Sequence, residues 1–205
     1  MKSPRLPQPR SGIEAESKEI MRKRMWMRAA ALRAAAFTLA ALAAVAGPAP
    51  ATAQTVERAG AQRDWSVFAM GSGDQRVCWV MTKPTEWRAE RGGRSVDANR
   101  GDIYLMVANR PAQGVENEVS WVSGYPLRDG ETVRLRIGDE RFSLFADGEN
   151  AWPENPAADG RVVEAMKQGV TATATGVSTR GTTTTDTFSL LGFTAALEEA
   201  QRLCA

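Results

Sequence analysis

The chain contains no histidine, and that absence excludes more chemistry than any residue it carries. Ser-His-Asp and Cys-His nucleophilic sites need an imidazole base, and most zinc sites and His-ligated haem need an imidazole ligand. Lysine is nearly missing beyond residue 53, where only Lys83 and Lys167 occur. Gly71-x-Gly73 and Gly92-Gly93 lack a following Lys-Ser/Thr, so neither is a phosphate-cradling nucleotide loop. Asp and Asn residues never take EF-type calcium spacing. There is no glycosylation sequon and no Cys-x-x-Cys redox motif. The longest apolar run, Ala34 through Ala46, falls short of the about 20 residues that cross a bilayer.

That run has another reading. Arg22, Lys23, Arg24, Arg28 and Arg33 precede it as a basic region, Gly47, Pro48 and Pro50 break it, and Ala51-Thr52-Ala53 supplies small residues for a signal peptidase. We read residues 1–20 as an over-extended gene start and 21–53 as an export signal cut before Gln54. Residues 54–63 then form a short mobile lead-in and 64–205 one domain. No Arg-Arg pair precedes the run and no Cys lies near the cut, which argues against a twin-Arg route and an N-terminal lipid anchor. The mature protein is expected to be soluble, without a transmembrane helix, in an oxidising space beyond the inner membrane: periplasmic, outer-membrane-associated or secreted.

Removing the leader inverts the charge. Nine of the 26 basic and three of the 24 acidic residues lie in 1–53, leaving 17 basic and 21 acidic, a net of −4. A mildly acidic domain without a basic patch argues against nucleic acid and against an anionic membrane surface.

Cys78 and Cys204 are the only cysteines. An even count in an exported protein points to a disulfide, here joining an early strand to the last helix. Closing a loop of about 126 residues stabilises by up to about 5 kcal/mol in the chain-entropy account. Two buried free thiols or a redox pair are the rival readings.

From Asp64 onward the pattern is mainly strand. Trp65–Phe68, Val77–Met81, Ile103–Val107 and Glu118–Ser123 read as strands, the third as one buried on both sides. Val133, Leu135 and Ile137 alternate with arginines, Gly138-Asp139 fits a two-residue turn, and Arg141–Phe145 returns with Phe142 and Phe145 as its apolar members. Ala151-Trp152-Pro153 reads as a packed loop. Asp159 is expected to cap a short helix ending at Gln168. Thr171–Ser178 and Thr182–Leu190 form a second long hairpin. Thr194 is expected to cap a final helix whose Phe193, Ala196, Leu197, Ala200 and Cys204 share one face. Strands at roughly ten-residue spacing with two short helices favour a two-sheet antiparallel sandwich.

The catalytic options left are few. The carboxylate pairs Asp139/Glu140 and Asp147/Glu149 sit in turns with nothing apolar around them to shift a pKa. Ser178 or Ser189 would need Lys83 or Lys167 as base, and neither lysine lies in a recognisable motif. Arg134, Arg136 and Arg141 suggest an anion site or a solvated strand face. Trp87 is a surface anchor for a partner or a core tryptophan. No catalytic, metal-ligating or cofactor-binding residue is assigned.

Several segments carry a resemblance: Gly176-Val177-Ser178-Thr179-Arg180-Gly181-Thr182 with Asp186-Thr187-Phe188-Ser189-Leu190-Leu191-Gly192-Phe193-Thr194-Ala195-Ala196, Val77-Cys78-Trp79, Glu118-Val119-Ser120, Gly124-Tyr125-Pro126, Phe142-Ser143-Leu144-Phe145, Ala151-Trp152-Pro153 and Ala165-Met166-Lys167. From about Trp65 to Cys204 the chain resembles the invasion-associated locus B family of alphaproteobacterial envelope proteins. The resemblance implies a periplasmic or outer-membrane-associated protein with an immunoglobulin-like β-sandwich. It brings no catalytic residue and no cofactor. Two function classes remain: a non-enzymatic envelope protein that binds an envelope or host protein or glycan, and a periplasmic hydrolase built on carboxylates. A small-ligand carrier is a weaker third.

Overall fold

In the computed structural model the described residues run from Thr55 to Ala205; the gene-start and export-signal readings lie outside them. The described strands form a 12-stranded sheet in the order β1-β2-β3-β6-β7-β10-β9-β8-β11-β12-β4-β5. Every neighbouring pair is antiparallel. In chain order the strands are β1 (Val56–Gln62), β2 (Trp65–Met70), β3 (Val77–Thr82), β4 (Glu86–Arg91), β5 (Arg94–Ser95) and β6 (Tyr104–Arg110). β7 (Val115–Val122), β8 (Thr132–Ile137), β9 (Glu140–Asp147), β10 (Asn150–Trp152), β11 (Thr171–Val177) and β12 (Thr183–Ser189) follow. Two helices, α1 (Pro156–Gln168) and the C-terminal α2 (Phe193–Leu203), complete the domain.

The mainly β antiparallel architecture is therefore the one expected, realised as one sheet folded over on itself. The fold-over follows from side-chain alternation. Inward residues of β2, β3, β6 and β7 (Trp65, Val67, Val80, Leu105, Val107, Trp121) share one core with inward residues of β8, β9, β11 and β12 (Leu135, Leu144, Ala172, Ala174, Phe188). Trp65 donates from Nε1 to the Ser189 carbonyl at 3.1 Å, which links β2 to β12 across that core. The Trp121 ring lies against Gly176, where an added Cβ would come within 2.8 Å of it. Between the halves, three-residue β10 pairs Ala151 with Trp121 on one side and with Ala146 on the other, so hydrogen bonding never breaks.

Several local expectations change. The lead-in is strand β1: its polar side chains sit at a sheet edge, where backbone pairing to β2 needs no buried face. β6 alternates instead of being buried on both sides. Ala151-Trp152 is strand, not loop. On β9 the buried residue is Leu144; Phe142 is half-buried and Phe145 is 52% exposed, because residues three apart point to opposite faces of a strand. The Gly138-Asp139 turn is present, with Gly138 at φ 58°.

Asn155, not Asp159, caps α1, its side chain accepting from the Ala158 N–H, and Pro156 takes the first helical position. Gly192, not Thr194, precedes α2. Its φ of 90° and the Gln62 backbone against its Cα leave no place for a Cβ. α2 packs on β2 through Trp65 and Phe193, ring centroids 4.8 Å apart. Beyond its end, Cys204 and Cys78 of β3 form a disulfide with Cα atoms 6.0 Å apart.

Candidate functional site

Two places on the molecule concentrate chemistry. The first is a clasp around Arg100, in the loop between β5 and β6. Asp186 sits at an inward position of β12, where alternation would otherwise put an apolar side chain. Arg100 answers it with two parallel bonds, Nη1 to Oδ1 at 2.6 Å and Nη2 to Oδ2 at 2.7 Å. Nε and Nη2 also donate to the Ser123 carbonyl at 3.1 and 2.7 Å. Trp121 donates from Nε1 to Asp186 Oδ2 at 3.1 Å. The guanidinium lies between the Tyr125 and Trp87 rings, 5.0 and 5.2 Å from their centroids. Tyr125 and Thr184 share a 2.5 Å hydrogen bond, and burial pushes the Tyr125 phenol above its ordinary pKa.

Above the clasp opens a cleft of about 330 Å³ lined in part by Arg91, Tyr125, Ser178, Arg180 and Thr182. Its floor is committed. Both Asp186 oxygens accept from Arg100, and the Arg91 guanidinium donates to Thr182 Oγ1 at 2.6 and 3.0 Å. Such a satisfied ion pair fixes the 96–103 loop against β7 and β12.

The second place is a groove of about 700 Å³ between the start of β7, the β9–β10 hairpin and the first turn of α1. Phe145 and Trp152 are cross-strand partners on β9 and β10, with ring centroids 5.6 Å apart and planes tilted 32°. Around this pair stand Glu116, Glu118, Asp147, Glu154 and Asp159, and no basic residue lines the groove. Glu118 is spent on Arg110 at 2.6 Å. Asp159 accepts at Oδ1 from the Val119 N–H at 2.8 Å, an anchor between α1 and β7. Burial raises the Asp159 pKa, against the opposing pull of that Val119 bond.

The residues singled out in the sequence fall elsewhere or in other roles. Asp139/Glu140 and Asp147/Glu149 are exposed at turns, although Asp147 reaches the groove rim. Ser178 Oγ accepts from the Thr182 N–H and Ser189 Oγ from the Leu191 N–H. Lys83 bonds Asp102 at 3.3 Å, which raises its pKa, the wrong direction for a base. Lys167 bonds Glu164 at 2.7 Å. Arg134, Arg136 and Arg141 are exposed. Trp87 is 44% exposed and covers Arg100, so it is not a core residue. Among the described residues no group of three His, Cys, Asp or Glu side chains is placed to hold a metal, and no helix is long and apolar enough to cross a membrane.

Arg100 and Asp186 were not legible as a pair. The available signal was an acid at an inward register of a Thr-rich strand, which demands a partner.

A family model described as "Invasion associated locus B (IalB) protein" matches residues 65–201. The chain belongs to the invasion-associated locus B family. The matched span opens at the first residue of β2 and ends within α2, so it contains both the clasp and the whole groove. β1 and the Cys204 end of the disulfide lie outside it. No curated protein and no solved structure matches the chain.

Proposed function

We propose that this member of the invasion-associated locus B family is exported to the bacterial envelope and works there by holding a partner, without catalysing a reaction. The leader-like sequence at 21–53 and the family support the location. One observation carries the binding reading. The buried Arg100–Asp186 charges satisfy each other, whereas Phe145 is held half in solvent beside Trp152 in a groove where Glu116, Asp147 and Glu154 are uncommitted. An exposed aromatic pair in a groove is the kind of surface that anchors a partner.

The test is a photo-crosslinking residue at position 145 in living cells, with fractionation. The reading expects a discrete adduct in the envelope fraction with a reproducible crosslinked segment. Adducts equal to those from a residue at solvent-exposed position 139, or the protein held in the cytosol, overturn it.

A second reading, a carboxylate-based hydrolase, draws on Asp159, an acid of raised pKa close to other carboxylates. It requires release of reducing ends from purified envelope glycan, abolished by Asp159→Asn; the binding reading expects that glycan to stay intact.

A further inference from the structure

We infer that the groove's partner is a cationic polypeptide segment, with a Lys or Arg side chain laid on the Phe145–Trp152 pair and its charge answered by Glu116, Asp147 and Glu154. The inference rests on the partner-binding reading and names the chemistry of that partner.

The groove is built for a cation in two independent ways. The first is the ring pair. Phe145 is 52% exposed, and its cross-strand neighbour Trp152 is tilted against it, so aromatic faces are offered to whatever enters. An aromatic face attracts a guanidinium or ammonium within about 6 Å of the ring centre. The molecule already uses this contact internally, where the Arg100 guanidinium lies 5.2 Å from the Trp87 centroid and 5.0 Å from that of Tyr125.

The second is the charge of the walls. Five carboxylates and no basic side chain line the groove. Arg110 neutralises Glu118, and the Val119 N–H occupies Asp159. Glu116, Asp147 and Glu154 make no ion pair or side-chain hydrogen bond among the described residues, so three negative charges face the groove unanswered. A cleft lined by one sign of charge focuses the field and draws the opposite charge in.

Cations do lie on the same sheet face. Thr132 pairs with Phe145 and Arg134 with Ser143, which sets Arg134 one pleat repeat, about 7 Å, along from the ring row. Arg136 and Arg141 are a further repeat away. These arginines close the groove to a basic chain at one end and direct it toward Asp147 at the other. The groove's own carboxylates disfavour an anionic lipid or nucleic acid. A neutral glycan would use the rings alone and leave the carboxylate field unused.

The test measures binding of a fluorescein-labelled peptide, Gly-Arg-Gly-Lys-Gly-Arg-Gly, to the full-length protein by anisotropy at low and high salt. Controls are the same peptide with Glu for each basic residue, and a neutral N-acetylglucosamine oligomer. The expected result is binding by the basic peptide alone, weakened by salt. It should weaken about tenfold in Glu116→Gln/Asp147→Asn/Glu154→Gln and about threefold in Phe145→Ala. Circular dichroism of both surface variants, with the disulfide intact, verifies their fold.

The inference is overturned if the basic peptide does not bind, if both variants bind it as tightly as the parent, or if the acidic peptide binds equally well. A sugar oligomer that binds through Phe145 while the peptide does not also overturns it. Specific adducts at position 145 alongside a failed peptide would remove the cationic partner and leave the binding reading standing; no adducts would remove the reading itself.

Discussion

Arg100 and Asp186 are 86 residues apart in the chain and meet in a two-point ion pair with side chains 3% and 0% exposed. Burying two charges costs several kcal/mol each, and the pair is held because the Ser123 carbonyl, the Trp121 indole and two aromatic rings complete its surroundings. Removing one partner leaves the other stranded. Asp186→Ala is expected to lose about 3–5 kcal/mol in urea denaturation. Replacing both partners with apolar residues, Arg100→Met with Asp186→Leu, should recover much of that. A single variant as stable as the parent would mean that water reaches the pair.

The disulfide ties β3 to the end of α2 over a sequence separation of 126. Cys78 is fully buried in the β2–β3–β6 ladder and Cys204 is half-buried beyond the last turn of α2. The Cys78→Ala/Cys204→Ala variant should lose up to about 5 kcal/mol by loop-closure entropy. Thermal melts with and without a reducing agent check it. The parent's melting temperature should fall on reduction, and the variant's should not move.

What the sequence disclosed and what it hid divide along a physical line. Local signals were legible: the Gly138 turn between β8 and β9, the β11–β12 hairpin, the end of α1 at Gln168 and the apolar face of α2 all rest on residues near in sequence. The residues of α2 named for its core face, Phe193, Ala196, Leu197 and Ala200, are buried. The start of α1 was misplaced because several small polar residues compete for the cap, and Asp159 has a cap's chemistry yet spends it on Val119 of β7; α2 opens at Gly192 with no side-chain cap at all. The groove was hidden for a related reason. Phe142 and Phe145 count equally as apolar in composition, and only strand parity sends Phe145 outward to meet Trp152. The clasp was beyond reach, since Arg100 finds Asp186 only after the sheet folds over.

Gly192 sits where the chain turns from β12 into α2, at φ 90° and against the Gln62 backbone. An L side chain there faces an unfavourable backbone region and a clash with main chain, which cannot rotate aside as a flexible side chain can. Gly192→Ala should cost about 1–3 kcal/mol or more, seen as a lower denaturation midpoint. Gly160, inside α1 with nothing within 4 Å of an added Cβ, is the contrasting control. Gly160→Ala should leave stability unchanged or raise it by about 0.5–1 kcal/mol.

Asp159 sets a pH dependence of definite sign. Its pKa is raised in the folded protein, chiefly by burial, with nearby Glu118 adding to the shift and the Val119 N–H opposing it. The folded state therefore holds this proton more tightly than the unfolded chain. The stability it contributes is fully present below the unfolded value of about 3.9 and is lost as pH rises through the higher folded value. Asn in its place keeps an oxygen to accept from Val119 and has no proton to lose. Asp159→Asn should match the parent at low pH and become the more stable protein as pH climbs above the ordinary aspartate range, its advantage levelling off once pH has passed the folded value. Denaturation midpoints of both proteins from pH 3.5 to pH 7.5 read this directly. The other titrating groups are common to the two, so their difference reads Asp159 together with its coupling to Glu118, and an advantage that grows toward acid would mean that the Val119 bond and the α1 N-terminus, not burial, govern the carboxylate.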